Sequence, residues 1–283
     1  MTSQHRRQNN TVVRIIRIIK RAATATPLPQ RFLRDVPYLC SARASCTRTL
    51  SDKAVMEIVT SKAGAPTDRD MLLLVTVFHQ TFKGLSAEEL EKVGEGTALA
   101  EIQIPVSELR WFHAGKIQRL TEAVERLAVF TVIYTPDGGK EKKIHRYLSS
   151  CSVADGFLTA LIDRDTGMRT IKCSWNVDIL ELTKLKTRVG RALYLMLAPD
   201  HRNIYDALKL ADRLGLPNTT AIERRNSIRD IHNGFKDMAT AGVLKTLPGQ
   251  HWQSIPVTWT TEPRNTEQDY QIVEAADEKT AQA

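Results

Sequence analysis

Residues 203–241 have the sequence NIYDALKLADRLGLPNTTAIERRNSIRDIHNGFKDMATA, which predicts two helices joined by a tight turn. Gly215 is predicted to end the first helix in a left-handed conformation, and Pro217 prevents that helix from continuing. Thr220 and Glu223 have the spacing of a capping box, in which each side chain bonds the backbone N–H of the other residue. The second helix is therefore expected to begin just after Thr220 and to run to about the end of this stretch.

The second predicted helix has two faces of different chemistry. At about 100° per residue, one face is an apolar stripe that we expect to be buried, made of Ile228, Ile231, Phe235 and Met238. Another face, which we call the basic stripe, is made of Arg225, Arg229, His232 and Lys236. Asn226 and Asn233 lie just beyond the basic stripe, and Arg224 lies at the helix start, where a phosphate contact is expected. Arginine can bond guanine and asparagine can bond adenine through two hydrogen bonds, so this face suits the major groove of DNA.

The segment before this helix pair predicts a further helix. Apolar residues recur at helical spacing over residues 185–196, and Pro199 is expected to end that helix. The first helix of the pair is then expected to start near Asn203, whose side chain suits an N-cap.

The segment after the pair predicts a β-hairpin. Residues 242–246 and 254–259 have the composition of two strands, with a turn at Pro248 and Gly249. Three helices followed by a hairpin is the order of a winged helix, which we predict for residues 183–260. A basic stripe by itself is most often a solvated helix face, but its attachment to this turn and hairpin favours DNA binding.

Residues 51–182 are predicted to repeat this architecture with a larger β component. We expect helices at 68–82, 105–112 and 116–127, and strands at 54–59, 102–104, 129–135, 143–148, 157–163 and 168–175. Turns are expected at 136–139 and 165–167. The helix at 116–127 has an apolar stripe that includes Ile117, and a weaker set of candidate DNA contacts, Lys116, Arg119 and Arg126. The predicted fold class is therefore α+β, with two tandem winged-helix domains, each a helix-turn-helix plus β-hairpin.

The positive charge of the chain is concentrated at its N-terminus. The formal net charge is +8 at pH 7. Residues 1–34 hold 8 of the 40 Lys and Arg side chains and none of the 32 acidic ones, so the rest of the chain is balanced. Residues 1–50 are predicted to be a basic arm and linker, with Pro27 and Pro29 marking the linker. A DNA-binding surface elsewhere must therefore come from the local placement of charges.

The two ends of the chain differ in composition from the middle. Residues 12–20 alternate apolar pairs with Arg14, Arg17 and Lys20, which is typical of a short basic amphipathic helix. A solvated or docked arm, an arm that contacts phosphates or a membrane surface, and an organelle-import signal all remain open for this segment. Residues 261–283 are acidic and poor in large apolar residues, which predicts a disordered tail.

The order of these patterns resembles that of a known family. Residues 36–43 look like a lead-in segment, residues 102–109 with the helix at 116 look like a first helix-turn-helix, and residues 184–194 look like the segment that opens a second winged helix. On these segments the chain resembles plasmid replication initiators of the iteron-binding Rep type, closest to the TrfA-like branch. The resemblance spans residues 37–259. It departs from the family in the basic arm and in the few cations of the first recognition-helix candidate.

This resemblance implies a function in DNA replication. Members of the family bind directly repeated origin DNA, help to open an AT-rich segment, and recruit the host initiator and the replicative helicase. They typically also form homodimers, in equilibrium with monomers, that repress their own gene. The resemblance therefore implies double-stranded DNA as the main partner and a bacterial cytoplasm, in association with plasmid or nucleoid, as the location.

The sequence offers no motif for catalysis or cofactor binding. It lacks the His-x-His pair of rolling-circle initiators, a Gly-x-x-x-x-Gly-Lys-Ser/Thr phosphate loop, a His-Glu-x-x-His helix and a Gly-x-Ser-x-Gly elbow. Its four cysteines include no Cys-x-x-Cys pair. We therefore predict no catalytic residue, no metal and no cofactor, and a protein that is not an enzyme.

Two other functions remain open. A winged-helix transcriptional regulator would bind a short operator without opening it. A protein-interaction module, or an imported enzyme whose winged helices pack against protein, would not need the basic stripe at all.

Overall fold

The computed structural model describes residues 25–35, 47–49, 55–137, 139, 141–197, 202–245 and 254–260. Helices account for 50% and strands for 26% of the structure, which confirms the prediction of a mixed α+β class. The predicted arm helix at 12–20, the lead-in at 36–43, Pro199, the turn at Pro248 and Gly249, and the acidic tail at 261–283 lie outside the described residues.

The described residues form ten α-helices. They are α1 (Gln30–Asp35), α2 (Asp68–Lys83), α3 (Ala87–Gly94), α4 (Arg110–His113), α5 (Ile117–Ala128), α6 (Arg164–Lys172), α7 (Ile179–Lys184), α8 (Arg188–Leu197), α9 (Ala207–Arg213) and α10 (Ala221–Thr240). A 3-10 turn at Val106–Leu109 leads into α4.

The strands of the described residues form four small antiparallel sheets. They are β1 (Ala25–Pro29), β2 (Thr47–Thr49), β3 (Val55–Val59), β4 (Ile102–Pro105), β5 (Thr131–Thr135), β6 (Lys143–Arg146), β7 (Leu148–Ala154), β8 (Phe157–Ile162), β9 (Ser174–Asp178), β10 (Ile204–Asp206) and β11 (Ser254–Pro256). The sheet orders are β2-β3-β5-β6, β4-β8-β7, β1-β9 and β10-β11.

The elements with strong local signals form where the sequence predicts them. Strand β3, helix α2 and helix α5 agree with the predicted ranges to within two residues. Helix α10 begins at Ala221, directly after the capping residue Thr220, and ends at Thr240, within one residue of the predicted end. Helix α5 differs in one respect, because Ile117 of its predicted apolar stripe is 49% exposed.

The prediction that Pro27 and Pro29 mark a linker is wrong. Both prolines belong to β1, which pairs with β9 in the register Pro27↔Asn176 and Pro29↔Ser174. All five residues of β1 are buried. Each strand of a two-stranded sheet is an edge, and edges are where a residue without a backbone N–H is tolerated.

The prediction of a turn at 165–167 followed by a strand at 168–175 is also wrong. The chain forms α6 there, because the Asp163 carboxylate accepts hydrogen bonds from the backbone N–H groups of Asp165 (3.1 Å) and Thr166 (3.3 Å) and so caps a helix. An Asp-x-Asp-Thr-Gly sequence suits a turn and a helix start equally well. The predicted start of α9 near Asn203 is also wrong. Residues 204–206 form β10, and Asp206 caps α9.

A single hydrophobic core runs through the described residues from β1 to the last β-bridge. Tyr194 of α8 contributes to it and also makes polar contacts with the preceding segment. Its hydroxyl donates to Glu181 Oε2 at 2.6 Å and accepts from the Asp178 backbone N–H at 3.1 Å. Helix α8 is thereby fixed to β9 and α7.

The first turn of α2 carries two buried carboxylates, and each is bound by an arginine from another element. Asp70, whose side chain is 1% exposed, accepts from Arg126 Nε at 2.7 Å and from Arg126 Nη2 at 3.2 Å. The same carboxylate accepts from the Thr67 backbone N–H at 2.6 Å in a capping box. The hydrogen bonds to Asp70 raise the pKa of Arg126, so its guanidinium stays charged.

Asp68 makes the corresponding contact with the second half of the chain. Its Oδ2 accepts from Arg191 Nε of α8 at 3.0 Å and also from Arg191 Nη2. Arg191 Nη1 donates to the Leu185 carbonyl at 2.8 Å, and Arg188 lies 3.5 Å from Asp68 Oδ1. The predicted domains at 51–182 and 183–260 are thus joined by an ion pair that is largely shielded from water.

We predict that Arg126→Ala destabilises the protein far more than the matched variant Arg119→Ala. Removing Arg126 leaves the Asp70 carboxylate buried without its partner, which costs about 3–5 kcal/mol. Arg119 lies on the same helix but is exposed, so its removal should change the free energy of unfolding by less than about 0.5 kcal/mol. Urea unfolding measures both values, and equal effects of the two substitutions would contradict the assignment.

Candidate nucleic-acid interface

The turn between α9 and α10 is held by a dense set of hydrogen bonds. Gly215 has a φ of +70°, the left-handed conformation that glycine adopts without strain. The Leu216 backbone N–H donates to the Ala211 carbonyl at 2.9 Å, so the turn folds back on α9. From the other side, the hydroxyl of buried Ser227 donates to the Pro217 carbonyl at 2.5 Å. The direction of α10 relative to α9 is therefore fixed.

The start of α10 is fixed by its predicted capping box. The Thr220 hydroxyl accepts from the Glu223 N–H at 3.2 Å, and Glu223 Oε2 accepts from the Thr220 N–H at 2.9 Å. The Thr219 hydroxyl, followed by the Thr220 backbone, lowers the pKa of Glu223 through hydrogen bonds to its carboxylate. Arg224 Nε donates to the Asn218 carbonyl at 2.8 Å, which holds this side chain beside the turn.

The packing of α10 against α8 depends on two glycines. A Cβ at Gly234 would lie 2.7 Å from Leu193 Cδ1 and 2.9 Å from Val189 Cγ1. A Cβ at Gly190 would lie 2.5 Å from Asp237 Oδ2. The two helices therefore cross more closely than side chains at these positions would allow.

Asp237 of α10 also forms hydrogen bonds with the residues just before α8. Its Oδ2 accepts from the backbone N–H groups of Lys186 (2.9 Å) and Thr187 (2.7 Å) and from the Thr187 hydroxyl (2.8 Å). These donors lie just before α8, where unpaired N–H groups favour a negative charge. The C-terminal part of α10 is thus tied to the N-terminus of α8.

The two predicted faces of α10 are confirmed as a buried face and an accessible face. The apolar stripe is buried, as expected. Of the predicted contact residues on α10, those with exposed side chains are Arg224, Arg225, Asn226, Arg229, Asn233 and Lys236. Among the described residues, Arg225, Arg229 and Lys236 have no ion-pair partner. Three full positive charges of one helix face are thus directed into solvent.

His232 differs from the other members of the basic stripe. Its side chain is half-buried, and this burial lowers its pKa below the ordinary value of 6.5. It is therefore mostly neutral at pH 7, when it can donate or accept a hydrogen bond but adds no charge.

Three accessible cations near α10 were missed by the sequence reasoning. Lys209 and Arg213 lie one turn apart on α9, and Lys245 follows α10; all three are exposed. The i, i+4 spacing of Lys209 and Arg213 was the available signal. In a helix-turn-helix the first helix crosses the DNA backbone, which is where such cations would meet phosphates.

Of the hairpin predicted after α10, the described residues contain one isolated β-bridge, between Leu244 and Trp259, and no strand at residues 242–245. The Lys245 N–H donates to the Thr258 carbonyl at 2.7 Å, and the Thr260 N–H donates to the Val243 carbonyl at 3.0 Å. Strand β11, just before Thr258, pairs with β10. The sequence reasoning did not predict β10.

The first helix pair offers a smaller cationic surface than predicted. Lys116 and Arg119 are exposed near the start of α5, as the prediction requires. The prediction that Arg126 contacts DNA is wrong, because its guanidinium is paired with the buried Asp70 carboxylate.

Two other findings concern chemistry away from the interface. Within the described ranges, no group of three His, Cys, Asp or Glu side chains is arranged to hold a metal ion. Burial raises the pKa of the Cys151 thiol to about 12, which makes it a poor nucleophile, and the Cys173 thiol donates to Gln30 Oε1 at 2.9 Å.

None of the helices in the described part of the chain has the length and apolar character needed to cross a membrane.

Comparison of the chain with protein-family models and with curated proteins finds no match.

We predict that protonation of His232 destabilises the protein as pH falls. Burial lowers the pKa of His232 in the folded state, so below about pH 6.5 the unfolded chain binds this proton more tightly than the folded protein does. The free energy of unfolding therefore decreases as pH falls through 6.5 and stops changing below the folded-state pKa. Urea unfolding at pH 7.5 and 5.0 should show a smaller loss for His232→Gln than for the wild type. Equal losses in the two proteins would be inconsistent with this origin.

Proposed function

We propose that this chain is a sequence-specific DNA-binding protein that initiates plasmid replication, and that α10 enters the major groove. The observation that carries the proposal is the basic stripe. Arg225, Arg229 and Lys236 are exposed and unpaired among the described residues, on a helix whose apolar stripe is buried. Arginine, lysine and asparagine on such a face match the hydrogen-bonding groups of base edges and phosphates.

We further infer that residues 183–260 form a winged helix. In support, α8, β10, α9 and α10 follow one another and lead into the backbone hydrogen bonds that join residues 243–245 to 258–260. The β10-β11 pair lies next to these hydrogen bonds, as in a three-stranded wing.

The same interpretation extends to residues 51–182, with a difference in strand pairing. There α2 and α3 are followed by β4, α4, α5 and the hairpin of β5 and β6, so the order matches that of residues 183–260 except for one added helix, α3. Strand β4 pairs with β8, however, whereas β5 and β6 pair with each other. We propose that this unit is a winged helix with an additional sheet.

The choice of an initiator rather than a regulator rests on the resemblance to Rep-type initiators. It leads us to propose origin repeats as the DNA partner, the host initiator and replicative helicase as protein partners, and a homodimer in equilibrium with a monomer. On this proposal the protein acts in the bacterial cytoplasm on its plasmid and has no catalytic activity.

A footprint on the DNA that flanks the gene tests this proposal. An initiator protects several evenly spaced direct repeats, and permanganate then detects opened thymines beside them. Protection of one short palindrome without opening would indicate a transcriptional regulator. No protection at any salt concentration would favour a protein-interaction module.

We predict that Arg225→Ala combined with Arg229→Ala abolishes sequence-specific binding and leaves the fold intact. Each bidentate contact to a base supplies about 1–3 kcal/mol of discrimination, so loss of both reduces specific affinity by about 30-fold or more. Gel-shift titration against specific and random duplexes measures the ratio.

The matched control for this variant removes two exposed lysines away from α10. Lys62→Ala with Lys92→Ala causes the same loss of charge, and it should lower affinity for both duplexes slightly and equally. If the α10 variant behaved in the same way, the assignment of α10 to the groove would be overturned.

We predict that the basic arm contributes phosphate contacts, which a deletion can test if it stops before β1. Residues 1–24 contain Arg6, Arg7, Arg14, Arg17, Lys20 and Arg21, whereas β1 is part of the core. Deletion of residues 2–21 should flatten the slope of log K against log salt by roughly 0.9 for each phosphate that the arm neutralises. An unchanged slope, with an unchanged melting temperature, would exclude the arm from the DNA complex.

A further inference from the structure

Ile222, the second residue of α10, is 75% exposed and is the most exposed large apolar side chain of the described residues. An exposed isoleucine contributes no hydrophobic burial to the stability of the fold. Its branched β-carbon also makes it a weaker helix former than alanine or glutamate. The fold therefore does not explain its presence in the first turn. Single exposed apolar residues are common on protein surfaces, so its neighbours decide whether it has a role.

The neighbours of Ile222 are the predicted base-contacting residues. Arg225 and Asn226 lie three and four positions further along α10, one turn away on the same side. Ile222, Asn226, Arg229 and Asn233 are separated by steps of four, three and four, and thus lie within about 60° of one another around the helix. All four side chains are exposed. Ile222 is therefore the apolar end of a face that is otherwise made of hydrogen-bonding groups.

The major groove of DNA presents one apolar group beside its hydrogen-bonding groups, which is the C5-methyl group of thymine. Recognition helices contact base edges mainly with residues of their N-terminal part. An isoleucine in the first turn, followed one turn later by Arg225 and Asn226, matches a thymine next to a guanine or adenine.

We propose that Ile222 determines specificity by packing against the C5-methyl group of one thymine in the bound duplex. The inference rests on the proposed DNA-binding function of α10 and goes further by naming the base. Because the contact is apolar, it supplies preference for the methyl group without altering the number of phosphate contacts. Replacement of Ile222 should therefore change sequence preference and leave the salt dependence of binding unchanged.

The test is a selection of duplexes from a random pool with the full-length protein, followed by binding to modified DNA. The wild type should enrich sites with thymine at one fixed position. Ile222→Ser should lose the preference at that position alone, and Ile222→Val should retain it. Replacing that thymine with deoxyuridine, which lacks only the methyl group, should weaken wild-type binding about fourfold. The same replacement should leave the affinity of Ile222→Ser unchanged.

The matched control is Ile144→Ser, which removes another exposed isoleucine, 63% accessible, from β6. It should leave the selected sequence unchanged. If the wild type enriches a site, but Ile222→Ser enriches the same site and deoxyuridine has no effect at any position, the role of Ile222 is overturned and the DNA-binding function stands. If the wild type enriches no sequence, the proposed function itself fails, and the inference fails with it.

Discussion

The first turn of α2 joins the two halves of the molecule, because it carries two carboxylates that are largely shielded from water. Asp70 is held by Arg126 of α5, and Asp68 by Arg191 of α8. A buried ion pair adds little net stability compared with apolar residues of the same size. It is costly to separate, however, since either partner alone would be a buried charge. Only arrangements in which both arginines reach this one helical turn are therefore compatible with folding.

This constraint extends to the proposed DNA-binding surface through α8. Arg191 fixes α8 to α2, and on its other side α8 packs at Gly190 and Gly234 against α10. Asp237 and the capping box then fix the two ends of α10. A continuous series of contacts, which begins at α2 in the other half of the molecule, thus holds the basic stripe in a fixed position. Such rigidity suits base recognition, in which side chains must be held in position before binding.

The sequence predicted those features whose causes lie within a few residues of one another. Helix α10, its capping box and its two faces follow from spacing alone. The same reasoning failed for β1, because a strand with two prolines becomes a strand only when β9 is present to pair with it. It failed for Arg126 for a similar reason, since its partner Asp70 lies 56 residues away. It failed for α6 because the capping Asp163 suits a turn equally well. Long-range partners, rather than weak local patterns, account for the first two errors.

The pairing of β1 with β9 also determines the order in which the protein assembles during synthesis. Leu28 of β1 pairs with Trp175 of β9, so β1 leaves the ribosome about 150 residues before its partner. At about 5–20 residues per second this interval is roughly 7 to 30 seconds. During this time β1, which is buried in the folded protein, has no partner strand, and unpaired strand edges favour association with other chains. The nascent chain therefore remains open to chaperones until β9 has been made, and the core around this sheet cannot be complete before then.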